Sequence, residues 1–325
     1  MLKSRLRWLL LGVWLLLAAG SLMLVRLARP ASGPGPAPVG APDFAGQVLR
    51  YRLDPERFIL LEVEPLKPGP NEFRVAVLDR KLRPLPAEGL YLQLWRLDRE
   101  SPPADLWLGP TDGRARRDLE PGWWAAEAGL TGGPAQTFYF LLGPAPPGGA
   151  PPDPKAAELL DRAVENFGRL GTLRWEEQLT SGLPYPTEAG AWVLTEGEAQ
   201  APDRVHIRVS LDGSVRETYQ VGSRRCDREA DGPWQCAEAS PVNFFNRTPF
   251  RMAPGVGLGR RETVDGEPAR VIFFYYPPAD AWYAWWVGER SGLLLREAML
   301  APGHVMVARY FDHNVPLNIE LPAGG

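Results

Sequence analysis

"VIFFYYPPADAWYAWWV", residues 271–287, carries eight aromatic rings in seventeen positions, divided by Pro277-Pro278-Ala279-Asp280. Those turn residues separate two β-prone runs. Side chains alternate along a strand, so in the second run Trp282, Ala284 and Trp286 face one way and Tyr283, Trp285 and Val287 the other. Both faces are apolar, and a strand buried on both sides needs two covers. A helix can supply one. A ligand-filled cavity, a swapped loop or a neighbouring module can supply the other. If a cavity does, its candidate lining residues are Phe273, Tyr275, Trp282 and Trp286, with Phe244 and Phe245 from the segment upstream.

Around this stretch the pattern is that of an α+β unit. Asp153 is placed to cap a helix with Pro154 at its first position, and Leu159, Leu160, Ala163, Val164, Phe167 and Leu170 recur at three-to-four spacing up to Gly171. β-prone runs come next, at 192–198, 204–211, 215–228, 234–239, 269–276, 282–287, 293–300 and 305–311. They read as an uninterrupted antiparallel meander with the helix packed on one face. In "CDREADGPWQC" a loop at 230–232, with Gly232 left-handed, puts Cys226 opposite Cys236. A cross-strand disulfide fits that register, and metal binding by the pair is the alternative.

Upstream, Lys3, Arg5 and Arg7 precede an uncharged apolar run at 8–25, closed by Arg26. It is long enough to span a bilayer, and the basic cluster keeps the N-terminus cytoplasmic. A cleavable signal ending near Ala18-Ala19-Gly20 is the alternative, but Leu22 to Val25 continue the apolar run past that site. There is no lipobox cysteine. Everything after Arg26 then lies outside the cell membrane. A Pro/Gly tract at 29–42 would hold the downstream modules about 40 Å from the bilayer if extended as polyproline, and a second tract occupies 144–153. Between the tracts, short runs at 58–63, 73–77, 90–97, 123–128 and 137–142, separated by turns such as Lys67-Pro68-Gly69-Pro70-Asn71 and Thr111-Asp112-Gly113, read as a β-sandwich.

These stretches carry two resemblances. "LEVEPLKPGPNEFRVAVLDRKLRPL", then "GWWAAEAGL" and "QTFYFLL", resembles the immunoglobulin-like domain of the YtkA/FixH type, found also beside copper-resistance membrane proteins of the CopC/CopD group. That resemblance implies copper. Yet residues 43–154 contain no His, Met or Cys, and copper sites need imidazole, thiolate or thioether ligands. A structural or docking role remains for this module. In the second module, "APDRVHIRVSLDGSVRETYQVGSRRCDREADGPWQC", "VDGEPARVIFFYYP", "WWVGERSGLLLREAML" and "YFDHNVPLNIELP" occur in the order of the motifs of the LolA/LppX-type lipoprotein fold, which they resemble. The resemblance implies an open half-barrel that holds an acyl chain or other lipid and ferries it across the envelope. The stretch 240–259 is short for a full helical lid.

Composition closes several other readings. A net charge of −3 gives no attraction for nucleic acid. No nucleophile elbow, phosphate loop or His-Glu-x-x-His motif is present, and there are three histidines. His206 is placed on a solvated strand face. If Pro302-Gly303 turns a hairpin, Met299 falls opposite Met306 with His304 on the same face, a set that suits copper(I) or merely fills a core. The organisation expected is a cytoplasmic stub and anchor (1–28), a linker (29–42), an all-β immunoglobulin-like sandwich (43–143), a second linker (144–153) and an α+β open half-barrel (154–325). The function expected is cofactor-free, non-enzymatic binding of a lipid or other hydrophobic molecule outside the membrane. The alternative is an interaction scaffold serving an envelope membrane-protein partner.

Overall fold

The computed structural model describes residues 46–108, 113–143, 153–180, 192–211, 214–301 and 304–323. The expected membrane span, the linker at 29–42, most of the second linker and the Pro302-Gly303 turn lie outside them. No helix of the described residues is long and apolar enough to cross a membrane.

Residues 47–142 form two antiparallel sheets. In the first, β1 (Gln47–Asp54), β2 (Arg57–Glu64) and β3 (Gly69–Asp79) run side by side. The far edge of β3 pairs with β4 (Pro84–Leu85) at one end and β7 (Arg114–Leu119) at the other. The second sheet has the order β6 (Ala104–Leu106), β5 (Leu90–Arg96), β8 (Gly122–Leu130), β9 (Ala135–Leu142). Entry into β3 is fastened by the buried side chain of Asn71. Its Oδ1 accepts from Leu66 N at 2.9 Å, and its Nδ2 donates to the carbonyls of Lys67 at 2.7 Å and Gly69 at 2.9 Å. The sheets share one core, in which Tyr51 stacks on Phe138 at 5.0 Å.

The second unit starts with α1 (Pro154–Gly168), capped by Asp153 Oδ1, which accepts from Lys155 N. Its strands are β10 (Thr172–Thr180), β11 (Trp192–Gln200), β12 (Arg204–Leu211), β13 (Ser214–Val221), β14 (Arg224–Glu229), β15 (Gln235–Glu238), β16 (Val256–Val264), β17 (Glu267–Tyr276), β18 (Ala281–Gly288), β19 (Leu294–Ala301) and β20 (His304–Phe311). They form one eleven-stranded antiparallel sheet, β15-β14-β13-β12-β11-β10-β20-β19-β18-β17-β16. The expected uninterrupted meander is thus two meanders joined where β10 pairs with β20. The expected long strand at 215–228 is two strands, because Gly222 turns the chain in the left-handed region at φ 58°. Cys226 and Cys236 are directly paired across β14 and β15 and are disulfide-bonded, as their register predicts. The left-handed turn residue is Ala230 rather than Gly232.

Strand β18 is buried along its whole length and divides two cores. Tyr283, Trp285 and Val287 face α1, together with Ile272, Phe274 and Tyr276 of β17. Trp282, Ala284 and Trp286 face the first module, together with Val271 and Phe273. There Trp123 stacks on Phe273 at 5.4 Å and Tyr139 packs on Trp286 at 5.0 Å. The first module therefore provides the second cover: its four-stranded sheet lies over β17 to β19, and its five-stranded sheet meets the large sheet at β10 and β11, where Phe58 packs on Trp192 at 4.9 Å.

Polar bonds fix the register of this contact. Glu262 of β16 accepts from Trp95 Nε1 of β5 at 2.7 Å through one oxygen and from Trp286 Nε1 at 2.6 Å through the other. Arg296 donates to Tyr139 Oη at 3.1 Å, and Arg260 N donates to Leu97 O at 2.9 Å. Gln178 Oε1 accepts from both Arg52 N and Trp192 Nε1. Replacing Glu262 by Ala strands two indole N–H groups, and a urea-denaturation free energy about 2–4 kcal/mol lower is expected. Glu262→Gln keeps one acceptor and costs less. An alanine variant as stable as the parent would show the bridge to be dispensable.

Candidate functional site: the helix-side face of the large sheet

Side chains on the α1 side of the sheet fall into rows set by strand register. One row runs Val193, Leu179, Met306, Met299, Tyr283, Phe274 across six strands. The next runs Thr195, Glu177, Ala308, Glu297, Trp285, Ile272. A third carries Gly197, Trp175 and Tyr310. Gly197 has no side chain for a physical reason: a Cβ there would lie 2.2 Å from the Trp175 indole that crosses it.

The segment 241–253, between β15 and β16, lies against these rows. It forms no helical lid, only a 3₁₀ turn at Thr248–Met252. Phe244 stacks on Trp175 at 4.1 Å, and Phe245 packs on Phe167 of α1 at 6.2 Å. Phe250 sits in a cage of four rings, 5.8 Å from Phe274, 4.7 Å from Tyr276, 5.2 Å from Tyr283 and 4.9 Å from Trp285. Among the described residues the main-chain hydrogen bonds of 241–253 are all local: Asn246 to Asn243, Phe250 to Arg247, Ala253 to Phe250. Side chains alone hold it to the sheet.

One of those side chains is charged. Arg247 is buried, its guanidinium 4.7 Å from the Phe167 ring centre and 5.2 Å from that of Phe244. It donates to Tyr310 Oη at 3.3 Å and to Phe244 O at 3.3 Å, and its Nε has no partner among the described residues. Tyr310 Oη in turn lies 3.5 Å from Glu297 Oε2. Glu297, which is buried, and Glu177, which is half-buried, thus both feel one guanidinium, with no ion pair to it among the described residues. Removal from water pushes Glu177 up to about 7, with the charge of Glu297 adding to the effect and Arg247 opposing it. Burial likewise raises Glu297, against the pull of Arg247 and the Tyr310 hydroxyl, and raises Tyr310.

The structure divides the residues that the sequence nominates. Phe244 and Phe245 lie on the helix side. Phe273, Trp282 and Trp286 lie on the opposite face, packed against Trp123 and Tyr139, so they form an inter-module seam and not a cavity wall. Tyr275, also on that face, is half-buried and donates from its hydroxyl to Asp280 at 2.6 Å. Met299 and Met306 meet as their register predicts, with His304 on the same face, where burial lowers its pKa. Met299 Sδ accepts a hydrogen bond from Tyr283 Oη at 3.1 Å, and the two methionines fill the row between Leu179 and Tyr283. His206, expected in solvent, is half-buried, its Nε2 2.8 Å from Glu217 Oε1, and stacks on Tyr219 at 4.1 Å. Glu177, Glu297, Arg247, Tyr310 and Phe250 were not nominated. Their signal was present: Glu177 shares strand parity with Leu173, Trp175 and Leu179, and Glu297 with Met299 and Ala301.

No known family matches the chain, and no curated protein matches it. Among solved structures, LprF from Mycobacterium bovis is 9% identical over 54% of this chain and 100% of its own, with a TM-score of 0.43. The lipoprotein LppX from Mycobacterium tuberculosis is 12% identical over 52% and 100%, with a TM-score of 0.40. A LolA superfamily protein from Nitrosomonas europaea is 11% identical over 51% and 94%, with a TM-score of 0.26. The likeness is one of strand arrangement over about half of this chain.

The raised pKa of the half-buried Glu177 makes stability depend on pH. Between about 4.5 and 7 the unfolded chain has lost the Glu177 proton while the folded chain retains it, so stability falls as pH rises through this window and the loss persists above it. The slope expected from one such group approaches 1.4 kcal/mol per pH unit, and Glu177→Gln removes that share. Urea titrations at a series of pH values measure it; identical slopes in parent and variant would refute the assignment.

Proposed function

We propose that the second unit binds a hydrophobic ligand, an acyl chain or similar group of a lipid, on the helix-side face of its sheet, and that 241–253 is a built-in plug occupying that site in the free protein. The observation that carries this reading is the plug's mode of attachment. It contributes Phe244, Phe245 and Phe250 to ring-lined positions while making no main-chain hydrogen bond to the sheet among the described residues. Such a segment can leave without disturbing the ladder beneath it, and an apolar ligand can take over the cage around Phe250 at about 0.8 kcal/mol per buried CH₂. The role is binding, not catalysis.

We place this activity outside the cell membrane, behind the apolar run at 8–25 as an anchor. The Cys226–Cys236 disulfide supports an oxidising compartment. The first module, which we read as immunoglobulin-like, serves as the rigid cover of the sheet's other face. Its lack of His, Met and Cys argues against a copper site within it.

A second reading is favoured by the density of rings on the helix side: the plug is permanent, and the protein is a filled scaffold for a membrane-protein partner. One variant separates the two. Phe250→Ala weakens plug docking by about 3 kcal/mol or more. If ligand and plug compete, the full chain in neutral detergent binds a fluorescent fatty acid, and Phe250→Ala binds it several-fold more tightly. If the scaffold reading holds, neither protein binds the probe and Phe250→Ala is only less stable.

A further inference from the structure

At the β16 edge of the sheet, α1 and the β16–β17 hairpin enclose a groove of about 300 Å³. Trp285 and Ile272 intervene between it and Glu297 in the same register row, so it is separate from the plugged site and does not depend on that reading. The helix contributes Lys155, Leu159 and Arg162, the hairpin contributes Leu258, Arg261 and Arg270, and Glu289 completes the wall. Residues spaced by four and then three lie on one face of a helix, so all three helical side chains share the groove wall.

Charge within the groove is unbalanced. Arg261 pairs with Glu289 at 2.8 Å, and Arg270 with Glu100 at 3.3 Å. Lys155 and Arg162 have no ion-pair or hydrogen-bond partner for their side chains among the described residues, so two positive charges face the groove uncompensated. The position of Arg162 is built in. Gly292 holds φ 64°, and a Cβ there would lie 3.0 Å from Arg162 Cγ and Cδ. The same turn is tied to the helix by Asn166 Nδ2, which donates to Ser291 O at 3.0 Å. Four cations and one carboxylate, Glu289, line the recess, which leaves a net positive charge that a bound anion would offset. Arginine forks and an ammonium are the donors that suit phosphate oxygens.

We propose that this groove binds a phosphate group. Leu159 and Leu258 give it an apolar wall, which suits the carbons beside the phosphate of a lipid headgroup better than a free ion. A volume of this size lies at the small end for ligand pockets and suits a headgroup, not a whole lipid.

The test uses the full chain in a neutral maltoside detergent, titrated calorimetrically with inorganic phosphate, with dihexanoyl phosphatidylglycerol, and with octyl glucoside as an amphiphile lacking phosphate. The expected result is one site for phosphatidylglycerol and none for the glucoside. Lys155→Glu/Arg162→Glu should lose about tenfold or more in affinity. Both side chains are exposed and make no such bond among the described residues, so circular dichroism and the urea midpoint should not change. Tighter binding of the lipid than of inorganic phosphate identifies a headgroup site, and equal affinities identify a site for free phosphate. Absence of binding by either, or binding that survives the double substitution in a folded protein, overturns the proposal.

Discussion

Burial of β18 on both faces is the constraint on which the rest of the architecture depends. Aromatic side chains bury roughly 150–250 Å² each, so neither face of Trp282 to Val287 could remain in water. On one side α1 and the plug provide the cover, and on the other the four-stranded sheet does. The two covers are held differently. Toward the first module, Glu262, Arg296 and Gln178 reach across the seam and satisfy indole, hydroxyl and main-chain groups of the opposing layer. These directional bonds fix one docking geometry as well as burying area. Toward the plug the contacts are mostly rings on rings, with two directional additions, Arg247 to the Tyr310 hydroxyl and the exposed Arg251–Asp161 ion pair to α1 at 3.1 Å.

The same asymmetry explains why ionisable groups are tolerated at the plugged face. A carboxylate taken from water without an ion pair is costly, and its pKa rises, for Glu177 to about 7 and for Glu297 in the same direction. Glu177 and Glu297 flank the small side chain of Ala308, which leaves room beneath Arg247. The guanidinium is steadied by the faces of Phe167 and Phe244 and by the Tyr310 hydroxyl. It therefore anchors the plug to α1 and to the sheet at once, through contacts weaker than a closed salt bridge.

Much of this was legible in the sequence where periodicity was clean. The helix, β12, β17, β18 and the pairing of Cys226 with Cys236 can be read from alternation and turn residues. Six strands were not legible: β4 and β6 are only two and three residues long, and four longer ones lack a clean pattern. β16, "VGLGRRETV", contains two glycines and three charged residues, and Gly259 is there because a Cβ would lie 2.5 Å from Leu97 O of the other module. β10 hides because Glu176 and Glu177 interrupt its apolar parity. β1 lies next to the Pro/Gly tract, and half of β7 is arginine. For β16, tertiary context supplied what local pattern lacked. The division of the six nominated lining residues was equally beyond the sequence. Alternation places Phe273 and Phe274 on opposite faces but cannot say which face meets another module.

That ambiguity has a physical resolution. A face that packs against a second folded layer gains complementary shape and fixed polar partners, as at Trp286 with Tyr139 and Glu262. A face covered by a short, mostly irregular segment gains chiefly burial and a few side-chain bonds, because thirteen residues without a strand cannot extend a ladder or satisfy its edges. Ligand exchange costs least where the cover contributes area and few directional bonds. By that criterion the helix-side rows around Phe250, and not the more tightly bonded seam around Trp286, are the part of the molecule able to open.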